Sequence, residues 1–205
     1  MATPRGWSDV RRAVRTSPNL NNDLILKLLS KIELASFTQK GSRIPRWRLN
    51  PNDPEYCTET EALESGKKLL WLALLSRNAP QISNNLKPLL MCNQRPNCVL
   101  YIAHDSGCID AEFQGMYQPT LCWICGDIID IEDFRRDARV DAQGIQMGHR
   151  TPLSRGNRQH NAKNVFWVHR SCNTMQGERT LDEVYEGMVR ILRFNGYTIT
   201  PPRRY

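Results

Sequence analysis

Cys122-Trp-Ile-Cys125, Met147-Gly-His149, Pro152-Leu-Ser-Arg-Gly-Asn157, Asn164-Val165 and His169-Arg-Ser-Cys-Asn173 follow one another inside the window Cys122–Gly177. Their spacing decides the fold. Cys122-x2-Cys125 and His169-x2-Cys172 each present two soft ligands about one edge of a tetrahedron apart, and together they complete a Cys3His zinc set. Between the two halves, Ala142-Gln143-Gly144 suits a turn, and Ile145-Gln146-Met147 leads into Gly148-His149, a strand ending on an imidazole before a long Arg-bearing loop. An imidazole there can act as a general base, because a modest environment tunes its pKa to neutral pH.

The rest of the composition bounds the partners. At 205 residues the chain can build one substantial core or two small ones. No apolar run approaches the roughly 18 residues of a membrane span, and Met1–Arg15 lacks the apolar centre of a signal peptide, so a cytoplasmic, non-membrane protein is expected. In a reducing compartment the seven Cys are better read as metal ligands than as disulfides, and an odd count forbids complete pairing. A second ligand set, Cys92-x5-Cys98-x5-His104-x3-Cys108, would give one or two Zn2+ per chain, leaving Cys57, His149 and His160 as the remaining thiol and imidazoles. The net charge of +7 favours an anionic partner.

The charge is unevenly placed. Met1–Tyr56 has 10 basic against 5 acidic residues and Cys122–Tyr205 has 13 against 10, while Cys57–Leu121 has 5 against 6, so the flanks carry the positive field around a near-neutral middle. Trp7, Val10, Ala13 and Val14 recur at helical spacing. Asn21-Asn22-Asp23 offers N-cap chemistry before the apolar face Leu24, Ile25, Leu28, Leu29 and Ile32. Arg43, Arg46 and Arg48 surround Trp47; this segment either meets a nucleic-acid backbone or anchors the core through its indole. Thr58–Arg77 is the strongest helix, ended by Pro80, with another up to about Met91. Thr180-Leu-Asp-Glu183 fits a capping box, so a helix to about Phe194 follows, with Val184, Met188, Ile191 and Leu192 inward. The expected divisions are a helical, basic region for positioning the anionic partner or for dimerisation over 1–91, a possible zinc-braced connector over 92–120, and a region holding the Cys/His motifs with a C-terminal helix over 121–205.

Gly148-His149, the Pro152–Asn157 loop, Asn164-Val165 and His169-x2-Cys172-Asn173 together resemble the HNH, or ββα-metal, endonucleases in order and separation. The resemblance covers the Cys122–Gly177 window and nothing upstream. It implies a zinc-stabilised ββα-metal nuclease core which, with the helical patterns read before and after it, makes an α+β chain: a mainly helical N-terminal half, then that core and a C-terminal helix. It further implies that His149 is the general base, that Asn164 braces the hairpin loop, that Asn173 is an oxygen ligand of a catalytic Mg2+ or Mn2+, and that His160 supports the loop. Three positions depart from the family pattern. Gly148 stands where an Asp ligand is frequent, leaving Gln146, Asp141 or water as further metal partners. His169 replaces a Cys, so it is either the fourth zinc ligand or the last catalytic His. Gln176 stands where a Lys is frequent, and Arg150, Arg155 and Arg158 would have to supply the phosphate contact.

The implied activity is hydrolysis of phosphodiester bonds in double-stranded DNA, most like a small zinc-braced type II restriction endonuclease acting as a homodimer on a palindrome. Within the same chemistry, a homing or phage HNH nuclease is the alternative. From a different class, Gly148 motivates a non-catalytic zinc-stabilised DNA-binding module.

Overall fold

The computed structural model describes residues 2–16, 22–79, 89, 120–156 and 160–199. Cys92, Cys98, His104 and Cys108, the expected second zinc set, lie outside these residues. So do Asn157, Arg158 and, except for Leu89, the helix expected up to Met91. Among the described residues no helix is long and apolar enough to cross a membrane.

The N-terminal half is built from α1 (Trp7–Arg15), α2 (Asn22–Phe37) and α3 (Glu59–Ala73). α2 buries Leu24, Ile25, Leu28, Leu29, Ile32 and Phe37, each apolar side chain of this size contributing about 1.5–3 kcal/mol when fully removed from water. Trp7 of α1 packs edge-on against Phe37 at 5.0 Å between ring centres, and its indole N–H donates to Glu33 Oε1 at 3.0 Å. α3 begins with a capping box in which Thr58 Oγ1 accepts from the Glu61 amide and the Glu61 carboxylate accepts from the Thr58 amide. It ends at Ala73, short of the expected Arg77. The physical reason is that the next backbone groups take partners outside the helix: Leu75 O accepts from Thr120 N, and Arg77 N donates to Ile129 O while Arg77 O accepts from Ile131 N.

Gly66 explains how closely α2 and α3 approach. A Cβ there would stand 2.8 Å from two ring carbons of Phe37 and 3.3 Å from Trp7. Alanine gains about 0.8–1.0 kcal/mol over glycine in a helix interior, but overpacking a closed contact costs about 1–3 kcal/mol. Gly66→Ala is therefore expected to lower the melting temperature. A variant melting at or above wild type would show that Phe37 yields without cost.

The second half is a two-stranded antiparallel hairpin and two helices: β1 (Ile145–His149), β2 (Val165–His169), α4 (Arg170–Gln176) and α5 (Leu181–Phe194). Ile145 pairs with His169, Met147 with Trp167 and His149 with Val165. A lone two-stranded ribbon is marginal in water, so its support comes from packing. All five β2 residues are buried. The Trp167 indole donates to Leu69 O of α3 at 2.7 Å and meets the Phe134 ring edge-on. On the alternate side Phe166 stacks on Trp123 at 4.1 Å, and Lys68 Nζ lies 3.6 Å from the Phe166 ring centre. One apolar cluster runs from Trp7 through α2 and α3 to Ile145, Val165 and Trp167. α2 also holds β1 directly, since Lys31 Nζ donates to Arg136 O and Ile145 O.

α4 starts directly from β2, and its first amides are satisfied from outside: Arg170 N donates to Gly144 O and Ser171 N to Ala142 O. α5 opens with the expected Thr180–Glu183 capping box. Its inward face is shorter than the periodicity implies. Leu181 and Val184 are buried and Met188 is half-buried, whereas Ile191 is 65% exposed and Leu192 41% exposed. Among the described residues the body of the protein supports the first turns of α5, and its last turns project past it.

Candidate active site and metal centre

The Cys122–Cys125 knuckle is a tight turn closed by Cys122 N to Asp127 O and Gly126 N to Cys122 O, with Gly126 at φ +78° supplying the left-handed residue the turn requires. It faces the junction of β2 and α4. There the ligand atoms of Cys122, Cys125, His169 and Cys172 lie within 4.8 Å of one another, and His169 Nδ1 sits 3.5 Å from Cys125 Sγ. Three thiols and one imidazole at these separations suit a tetrahedral site with Zn–S about 2.3 Å and Zn–N about 2.0–2.1 Å. Burial pushes the Cys125 and Cys172 thiols up, and the adjacent Cys122 adds to it. A divalent cation there would supply the counter-charge for deprotonated thiols. The donor set fits zinc, and it draws His169 into the sulfur cluster, away from the end of β1.

At that end a different set assembles. His149, the last residue of β1, is half-buried, and its Nε2 lies 3.2 Å from Nδ1 of the buried His160. His160 Nε2 lies 2.9 Å from the backbone carbonyl of Ser36 in α2. A carbonyl only accepts, so His160 Nε2 carries the proton and Nδ1 is left as an acceptor, which His149 Nε2–H satisfies. The chain of donors therefore leaves His149 Nδ1 as the unprotonated nitrogen. Both rings are held neutral. Burial lowers His149 to about 4, with the Arg46 guanidinium assisting. His160 is pushed well below its ordinary value by burial first, then by Arg46 and His149.

Asn164 closes the loop between the strands. Its Oδ1 accepts from Thr151 N at 2.7 Å and its Nδ2 donates to Thr151 O at 2.7 Å, while its own carbonyl accepts from Arg150 N. One side chain thereby satisfies both backbone groups of the residue two beyond His149. Asn164→Ala would leave them unpaired, at about 1–3 kcal/mol for a buried group. The expected result is faster proteolytic nicking between residues 150 and 164, with Asn164→Asp intermediate because it keeps the acceptor and loses the donor. Equal cleavage rates for all three proteins would contradict the bracing role.

Asn173, in the first turn of α4, donates its Nδ2 to Gln146 Oε1 at 3.0 Å. Its Oδ1 lies 3.4 Å from where a Cβ on Gly148 would stand, and that Cβ would also meet the Val168 methyls at 2.8 and 3.2 Å. Glycine at 148 is thus required by the approach of β2, and it keeps the space beside Asn173 Oδ1 clear. An amide oxygen is a donor that a hard cation accepts alongside water.

Two expected site residues have other work. Arg46 is 4% exposed; its guanidinium pairs with Glu55 Oε2 at 2.8 Å and donates to the carbonyls of Glu55 and Ala35. It is committed to internal partners and cannot meet a phosphate at the surface, which corrects its assignment to a DNA-contacting cluster. The neighbouring indole of Trp47 packs near Phe37 at 6.5 Å, whereas Arg43 and Arg48 are exposed. Gln176, which by the resemblance stands where a Lys is frequent, is buried and donates Nε2 to His149 O at 2.7 Å and to Arg179 O at 3.2 Å. It clips the end of β1 to α4. No sequence signal marked it, because its partner is a backbone carbonyl on another element. Arg150 and Arg155 are exposed, the latter 3.3 Å from Glu183.

No protein-family profile matches the chain, and no curated protein does. A solved structure described as "Crystal structure of a type II restriction endonuclease" is similar in fold, with a TM-score of 0.59 and 22% identity, over 83% of this chain and 77% of that one.

Proposed function

We propose that this chain is a metal-dependent HNH endonuclease that hydrolyses phosphodiester bonds in double-stranded DNA, as a sequence-specific type II restriction endonuclease would. The observation that carries this reading is the His149–His160–Ser36 contact chain at the end of β1, whose polarity assigns His149 Nδ1 as the free acceptor. The fold shared with a described restriction endonuclease supports it independently.

In this reading His149 Nδ1 takes the proton from a water positioned for in-line attack on phosphorus. His160 holds the ring orientation, Asn164 holds the loop, and Gln176 holds the His149 carbonyl. Asn173 Oδ1 would hold Mg2+ or Mn2+, which when bound would supply stabilisation of charge on the leaving oxygen. The Cys122, Cys125, His169 and Cys172 site would hold a structural Zn2+ with all four positions filled by the protein, leaving none open for chemistry. Arg43, Arg48, Arg150, Arg155 and Arg158 supply phosphate contacts; the exposed Arg155–Glu183 pair is weak enough in water to exchange for one. Residues 1–91 position DNA, and a homodimer would bring two such centres to the two strands of a palindrome.

A second reading follows from Gly148: without a carboxylate there, the same fold would serve as a zinc-stabilised DNA-binding module. The two separate on a gel. Purified protein incubated with unmodified, then methylated, phage DNA in Mg2+ is expected to give discrete fragments. A smear would indicate a nonspecific nuclease, and intact but retarded DNA would favour the binding module.

A further inference from the structure

We infer that Gln146 is a positioning residue that fixes which atom Asn173 offers to a metal ion, an inference that rests on the nuclease reading of this site. The argument is one of hydrogen-bond polarity. Gln146 Nε2 donates to the backbone carbonyl of Ala138 at 2.7 Å. A carbonyl cannot donate, so the Gln146 amide cannot turn over without placing two acceptors against each other. Its Oε1 must therefore face Asn173, and only the NH2 end of Asn173 can meet it, at 3.0 Å. The remaining Asn173 atom, Oδ1, lies 3.4 Å from where a Cβ on Gly148 would stand, with no side chain at 148 against it.

The anchor of this chain is itself fixed. Ala138 approaches Gly144 so closely that a Cβ on Gly144 would stand 2.7 Å from Ala138 Cα, and Gly144 O in turn receives the first amide of α4 from Arg170. Ala138, Gln146 and Asn173 thus connect the turn before β1, the strand and α4 in one polar relay. Gln146 and Gly148 lie two apart on β1, on the same side of the strand. An asparagine alone can offer a metal either end of its amide, and the NH2 end is no ligand. With no carboxylate at 148, an oxygen held outward by Gln146 is what gives this chain a defined protein ligand. Partners of this kind typically change metal affinity by about 10–100-fold when removed.

The test is a Mn2+ titration of the zinc-loaded full chain, followed by the electron paramagnetic resonance signal of free Mn2+, with zinc content and melting temperature recorded for each protein. Gln146→Leu removes the acceptor and frees the Asn173 amide to turn; it is expected to weaken Mn2+ binding about tenfold, approaching Asn173→Ala. In an Asn173→Asp background either carboxylate oxygen can face the ion, so Gln146→Leu is expected to cost little Mn2+ affinity there, which a purely structural role of Gln146 would not allow. Wild-type affinity in Gln146→Leu would overturn the inference while leaving the nuclease reading intact, as would a Gln146→Leu loss of the same size in the Asn173→Asp background. A wild type and an Asn173→Ala variant that bind Mn2+ alike would remove the metal site itself, and the inference with it.

Discussion

His149→Ala is expected to cut DNA about 10²–10⁴-fold more slowly than wild type under single-turnover conditions, the range typical of a lost general base, while binding the same duplex with unchanged affinity. The expectation follows from how little else at the end of β1 can take its place. His160 is fully buried and its Nε2 is committed to the Ser36 carbonyl, and His169 lies in the thiol cluster. The pH dependence gives the sign. Burial and Arg46 lower the His149 pKa to about 4, so the neutral, proton-accepting ring persists below the ordinary value of 6.5. The acid limb of kcat/KM, which reports the free enzyme, is therefore expected near pH 4. A limb at or above 6.5 would contradict the environment assigned to this ring, and wild-type rates in His149→Ala would remove it from the chemistry.

Loss of the Cys3His site is expected to have the largest effect on stability. The site joins the Cys122–Cys125 knuckle to the point where β2 becomes α4, so its loss loosens the strand end and the helix that carries Asn173. Structural zinc in small peptides contributes about 10–16 kcal/mol of apparent folding energy at neutral pH, against a total stability of about 5–15 kcal/mol for an ordinary domain. Even half of the smaller figure would lower the melting temperature by on the order of 10–20 °C, at about 2–4 °C per kcal/mol for a chain of this size. Cys172→Ser should show this drop together with the loss of one zinc equivalent. His169→Ala distinguishes the two roles open to that residue. As a ligand it loses the zinc and the stability; as a catalytic group it would keep both and lose only activity.

Much of this site was legible because its elements are local. The two x2 spacings, the strand-ending Gly148-His149 and the Thr180–Glu183 box each depend on residues within one turn, where geometry follows from chain separation. What could not be read depends on partners far away in the chain. Arg46 reads as surface charge until Glu55 and the Ala35 carbonyl are seen to enclose it. His160 finds its anchor at Ser36, 124 residues earlier, and backbone carbonyls carry no sequence signature. The same is true of Gln176 and the His149 carbonyl. α5 fails differently: its amphipathic period is real, but a period says which residues share a face, not whether anything lies opposite it. α3 stops early for a tertiary reason too, since the backbone of residues 75 and 77 pairs with residues 120, 129 and 131 instead of continuing the helix.

The central claim, that the end of β1 is a metal-dependent phosphodiesterase centre, is tested most directly by one plasmid-cleavage series. Supercoiled DNA is incubated with wild type in Mg2+, wild type in excess chelator of Mg2+ at a level that leaves protein-bound zinc in place, and His149→Ala in Mg2+. Conversion to nicked and linear forms in the first reaction alone is the predicted result. Cleavage that persists without Mg2+ or without the His149 imidazole, or no cleavage in any reaction despite DNA binding, would contradict it.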